Sequence, residues 1–167
     1  GNFKPDFKQV IPLIMAEIAV TPENVNLKNF NKLVGEIAQA EIDKYLADKP
    51  KDAQGRFLKG IILTEMNKPA EAIAIFTRLT EDYPELPEPY NNMAVLYAQQ
   101  KQYDKARTAL EMAIRTHPAY AIAYENLGDV YAKLASQAYD KALQLDSGNA
   151  AAQGKLDLGI DQRFVGV

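Results

Sequence analysis

Four series of residues recur along this chain at one interval. Pro50, Pro84 and Pro118 stand 34 residues apart, as do Ala38, Ala72 and Ala106. Gly60, Ala94 and Gly128 keep the same interval, and so do Ile42, Phe76 and Leu110. A fixed period of this length marks a chain built from one repeated supersecondary unit that cannot bury its apolar face alone. Such a chain has to fold by nearest-neighbour contacts, with three or more units stacked so that each covers the next.

The residue types within the period are those of a helical hairpin. A small residue at Gly60, Ala94 and Gly128 lets two helices approach closely, and Ala72 and Ala106 do the same from the facing helix. Tyr97, Phe76 and Leu110 are bulky enough to fill the remaining space. Each proline of the series can stop a helix, because it lacks the N–H needed to continue one and clashes with the preceding turn.

The segment from residue 87 to residue 120, PEPYNNMAVLYAQQKQYDKARTALEMAIRTHPAY, carries the full pattern in Tyr90, Met93, Ala94, Tyr97, Ala106, Leu110, Ala113 and Pro118. On these residues the chain resembles the tetratricopeptide-repeat proteins, of bacterial type. Residues 53 to 86 keep Gly60, Leu63, Ala72, Phe76 and Pro84, but place Arg56 and Lys59 where the family usually has an aromatic residue and a Leu. Upstream, Ala38, Ile42 and Pro50 belong to a second helix whose first helix, around Glu23 to Val34, has lost the pattern. Downstream, Tyr124, Leu127, Gly128 and Tyr131 make a good first helix. The resemblance implies an all-α fold, a right-handed superhelical stack of antiparallel helix pairs. The units are expected at about residues 22–52, 53–86, 87–120 and 121–147, between an N-terminal capping or groove helix over 1–21 and a C-terminal capping helix and tail over 148–167.

The last unit departs from the others. Leu63 to Phe76 and Tyr97 to Leu110 are each thirteen residues apart, whereas Tyr131 to Tyr139 is eight. Ala142 and Leu143 then match Ala113 and Ile114, so five residues are missing and they are the turn. The residues left there, KLASQAY, contain no Gly, Pro or Asn and favour helix. One continuous helix from about Ala121 to Asp146 is expected. A helix that cannot fold back leaves its first half without a hairpin partner, which the second half of another copy can supply by a domain swap. A twofold homodimer follows, with Leu134, Ala135, Ala138, Tyr139 and Ala142 near the axis.

Two terminal helices are expected as well. Phe7, Ile11, Ile14 and Ile18 recur at helical spacing within a helix near residues 6–20 that caps the first unit or lies in a groove. Asn149 can cap a weak final helix carrying Leu156, Leu158 and Ile160, interrupted by Gly154 and Gly159.

Composition excludes several chemistries. The chain has no Cys, so it has no disulfide, thiolate metal site or Cys nucleophile. A net charge of -3 gives no basic footprint for nucleic acid. The run VIPLIMA is far short of the ~20 apolar residues that span a membrane. His117, the single His, sits at an interhelix turn and reads as a surface residue. No acid, base and nucleophile set comes together, so neither enzyme chemistry, a cofactor nor a metal is expected.

What remains is a binding surface. In the family that the chain resembles, the first helix of each pair lines the concave face. The groove residues are then Phe57, Leu58 and Ile61, followed by Asn91, Asn92 and Val95, and by Asn126 and Asp129. Asn92 matches the central Asn of the clamp with which some family members hold a chaperone's C-terminal carboxylate. Phe57, Ile122 and Asn126 stand where that clamp needs cations, so the carboxylate would meet no charge partner. An extended or helical apolar peptide fits better. The function expected is a protein-interaction scaffold that binds a protein or peptide and self-associates, the alternative being a small holding chaperone for a secreted or envelope client. A periplasmic or envelope location is the lean, a cytoplasmic one the alternative.

Overall fold

The computed structural model describes residues 27–158, with side chains from Asn31 onward. The expected N-terminal helix, with Phe7, Ile11, Ile14 and Ile18, lies outside the described residues, as does the tail beyond Leu158. Seven helices and no strand occur among the described residues. They are α1 (Leu27–Asp48), α2 (Ala53–Glu65), α3 (Pro69–Asp82), α4 (Pro87–Gln99), α5 (Tyr103–Thr116), α6 (Ala121–Leu145) and α7 (Ala150–Asp157). Contacts divide the chain into two units, 1–84 and 85–167.

In the first unit α2 and α3 form a hairpin and α1 packs on α2. Asp52 starts α2 as a side-chain cap, its carboxylate accepting from the Gly55 N–H at 2.8 Å, which satisfies one of the orphan donors at a helix start. The hairpin turns at Asn67, whose φ of 56° lies in the left-handed region. Lys68 N then donates to Leu63 O at 2.9 Å, the closing bond of a Schellman C-cap. Pro69 follows in the first turn of α3, where a missing N–H costs nothing. Phe76, Leu79 and Ala72 of α3 are buried with Phe57 and Leu63 of α2.

The second unit repeats this construction. Lys101, 34 residues after Asn67, has φ 59°, and Gln102 N donates to Tyr97 O at 2.8 Å. Helices α4 and α5 pair through a core of Tyr90, Ala94, Ala106, Leu110 and Ala113, to which α6 adds Ala123 and Val130. Pro50, Pro84 and Pro118 each stand two residues beyond a helix end, as expected of residues that stop helices.

Two helices break the hairpin rhythm. One was legible: α6 runs unbroken for 25 residues, with Ser136 Oγ donating to Ala132 O inside it at 3.1 Å, so the shortened spacing does fuse the pair. The other corrects the sequence reading. Helix α1 is a single helix of 22 residues that passes straight through Val34, where the end of a separate first helix was expected. Val34, Ala38, Ile42 and Leu46 recur every four residues along it and pack on Leu58, Ile62 and Met66 of α2. At the other end Asn149 caps α7 by accepting from Ala152 N at 3.0 Å.

Candidate partner-binding surface

Helix α2 presents its expected groove residues unevenly. Phe57 is fully buried, its ring 5.6 Å from that of Phe76 and tilted at 53°. Leu58 is buried in the cluster that α1 makes with α2. Both were expected on an apolar binding face; Leu58 instead points at α1, because that helix lies along its flank. Ile61 is half-buried, and Gln54 and Glu65 are exposed.

The two departures from the family pattern on α2 have a physical account. Arg56 Nη1 bonds Asp82 Oδ2 at 2.6 Å, and Lys59 Nζ bonds Asp43 Oδ1 at 2.7 Å. Cations at positions the pattern fills with apolar groups are matched by carboxylates on α3 and α1. They line a cleft of about 430 Å³ with Lys51, Arg78 and Glu81. Because the carboxylates are half-exposed, each pair adds little stability, on the order of 0–1 kcal/mol.

In the second unit α4 and α6 lie side by side. Asn126 Nδ2 donates to Asn91 Oδ1 at 2.9 Å, and both side chains are buried. Asn91 and Asn126, both expected to line the groove, are buried instead, and their bond ties the two first helices together. Asn92 and Val95 are buried as well, and Asp129 is half-buried. A shallow apolar cleft of about 410 Å³ runs between α4 and α5, lined by Tyr90, Met93, Tyr97 and Met112, with Lys105 Nζ 5.6 Å from the Tyr97 ring centre.

Sequence reasoning missed one cluster near the start of α4. Glu88 is buried and its Oε2 has no hydrogen-bond partner; the Tyr120 hydroxyl is in the same condition. Burial pushes the Glu88 carboxyl above its ordinary value, against the opposing pull of its own backbone hydrogen bond and of His117. Burial, and then Glu88 itself, push the Tyr120 phenol far upward. The exposed His117 ring stacks on Tyr120 at 6.2 Å. The signal available beforehand was Glu88 lying between Pro87 and Pro89 in a first turn whose neighbours are apolar.

On α6 the five residues expected near a twofold axis divide. Leu134 packs against the core of its own unit, so it does not lie on the free side of the helix as expected. Ala135 and Ala142 are half-buried, and Ala138 is exposed. Tyr139 is half-buried beneath Lys155 of α7, whose Nζ is 5.3 Å from the ring centre. Tyr124 and Tyr131, at repeat positions of a first helix, are 50% and 48% exposed. No group of acidic, His or Cys side chains that could hold a metal occurs among the described residues, and no described helix is long and apolar enough to cross a membrane.

Two family profiles, each described as tetratricopeptide repeat, match residues 35–87 and 63–134. The chain is 35% identical over 81 residues to the chloroplastic tetratricopeptide repeat domain-containing protein PYG7 of Arabidopsis thaliana, covering 46% of this chain. It spans 27% of the length of that relative. A crystal structure of MamA superposes with a TM-score of 0.57 at 22% identity, over 83% of this chain and 84% of that one. At that identity the likeness is one of fold.

Proposed function

The chain belongs to the tetratricopeptide-repeat family, and from that premise we propose that it is a non-enzymatic scaffold which binds a protein or peptide partner and self-associates through its last repeat. The observation that carries the reading is the Asn126–Asn91 bond. It holds two first helices, α4 and α6, edge to edge, so that residues on both contribute to one rigid surface instead of two independent faces. A pre-organised surface loses little conformational entropy when it binds. Repeat proteins use such extended surfaces to recognise other chains.

On this reading Asp129 of α6 is the partner-facing position of the second unit and Ile61 of α2 that of the first, both half-buried, whereas Asn92 and Val95, expected in the groove, are buried and support the surface from beneath. Self-association uses the other side of α6, where Tyr124 and Tyr131 are exposed.

The test is affinity capture from an extract of the source cells, followed by quantitative binding with the purified partner. Binding of a folded partner that falls at least tenfold with Asp129→Lys, in a protein whose urea midpoint is unchanged, supports the reading. Capture of unfolded polypeptides only, unaffected by those substitutions, would show a holding chaperone instead.

A further inference from the structure

Gly60 and Gly128 occupy the same point of the repeat, yet their surroundings differ. A Cβ added at Gly60 would run into the Phe76 ring of the paired helix, whereas a Cβ at Gly128 would meet nothing within 4 Å. The neighbours of Gly128 tell the same story. Tyr90 is 9% exposed where its counterpart Tyr124 is 50% exposed. The first half of the face of α6 that a second helix would cover is complete in its residues and exposed at Tyr124, Gly128 and Tyr131, because α6 does not turn back on itself.

The same row continues into the second half of the helix, where α7 packs on α6 and Ala135 and Ala142 are half-buried while Ala138 is exposed. Alternate steps of three and four residues from Tyr124 pass through Gly128, Tyr131, Ala135, Ala138 and Ala142, without meeting a charge. Leu145, 79% exposed, ends the row. A sustained spacing of this kind is a seam for another helix. Leu127 and Leu134 lie just to one side of it and pack inward, so the seam is displaced from the core face of α6.

We propose that the seam is closed by α6 of a second copy, running antiparallel about a twofold axis near Lys133 and Leu134, so that residues 135–146 of each copy serve as the missing second helix of the other. This names the surface and register of the self-association proposed above and rests on that reading. The register comes from the hairpin that is formed: Gly60 faces Phe76, and Tyr139 is the residue that the shortened spacing puts in the place of Phe76. Setting Gly128 level with Ala138 of the second copy, one residue from Tyr139, brings Tyr131 level with Ala135, and Tyr124 level with Ala142. Each tyrosine of the seam then meets an alanine, and the close approach at Gly128 leaves room for Tyr139 beside it. A parallel pair would instead stack Tyr on Tyr at one end and Ala on Ala at the other, which no single interaxial distance accommodates. Charge agrees as well, since exposed Glu125 comes level with exposed Lys141 of the second copy, twice by symmetry.

The chain has no Cys, so introduced thiols report the register without interference. In the double variant Tyr124→Cys/Ala142→Cys, the helix separates the two thiols by about 27 Å within one chain, far beyond the ~7 Å limit on Cα separation for a disulfide. Mild oxidation is expected to give a covalent dimer from the double variant, with at least tenfold less from either single variant. Ala121→Cys/Leu145→Cys, both at exposed positions, should behave alike and makes smaller demands on folding. Cross-linking of Tyr124→Cys alone as efficiently as the pair would show parallel helices and overturn the proposal. Failure of both pairs in a protein that light scattering shows to be dimeric would overturn the seam while leaving self-association standing. A monomer at tens of micromolar would overturn both.

Discussion

Asn126 Nδ2 donates to Asn91 Oδ1 at 2.9 Å, joining the first helices of two successive repeats through a bond buried from solvent. Burying amides is favourable only while they are satisfied, and removing one partner exposes the other to a desolvation penalty. Asn126→Ala is therefore expected to destabilise the second unit by roughly 1–3 kcal/mol, read as a lowered urea midpoint. The same substitution should weaken partner binding by loosening the α4–α6 edge. A midpoint equal to that of the parent would show that the bond is dispensable.

Gly60 and Gly128 should respond in opposite directions to the same substitution. Gly60→Ala drives a methyl group into Phe76, whose ring is fully buried and has nowhere to retreat. A loss of about 1–3 kcal/mol is expected from such overpacking. Gly128→Ala has open space in the single copy, and replacing Gly in a helix interior should raise stability by about 1 kcal/mol. It should also weaken the dimer, where Tyr139 of the second copy approaches that position. Thermal unfolding at high and low protein concentration separates the two effects, because dimer stability depends on concentration.

Glu88 gives the second unit a pH dependence. Its folded-state carboxyl is raised by burial above the ordinary value of 4.5, so the folded chain holds that proton more tightly than the unfolded one. Stability contributed by the protonated form is fully present below the unfolded value and declines as pH rises through the folded one. Glu88→Gln keeps the shape and removes the ionisation. The variant is expected to be more stable than the parent at neutral pH and to lose the part of the acid-side slope that Glu88 supplies. Parallel stability–pH curves for the two proteins would contradict this.

The repeat was legible because close helix contact demands small residues at a fixed interval and a helix end tolerates proline. The fused α6 was legible for a related reason, since deleting a turn leaves a countable gap between Tyr131 and Tyr139. What the spacing does not encode is the neighbour that each face meets. Leu58 sits at a repeat position that reads as groove, and only the uninterrupted α1 alongside it turns that position into core. Asn91 and Asn126 read as groove residues because pattern gives position on a helix but not the approach of the next one. Arg56 and Lys59 looked like decay of the motif, although Asp82 and Asp43 were present to receive them.

Restoring the turn is the most direct perturbation of the architecture. Inserting five residues such as QGNYD after Leu134 returns the interval from Tyr131 to Tyr139 to thirteen, the value found in the two preceding hairpins. The inserted Gly and Asn can adopt the left-handed conformation that Asn67 and Lys101 adopt in those turns. Residues of the second half of α6 can then fold back, with Tyr139 over Gly128 of the same chain and Tyr124 and Tyr131 covered in place. The covered surface is the one proposed to hold the second copy, so intramolecular closure competes with dimerisation at a far higher effective concentration. The insertion variant is expected to be monomeric by light scattering at concentrations where the parent is a dimer. A dimer that persists after the insertion would place the self-association surface elsewhere than on α6.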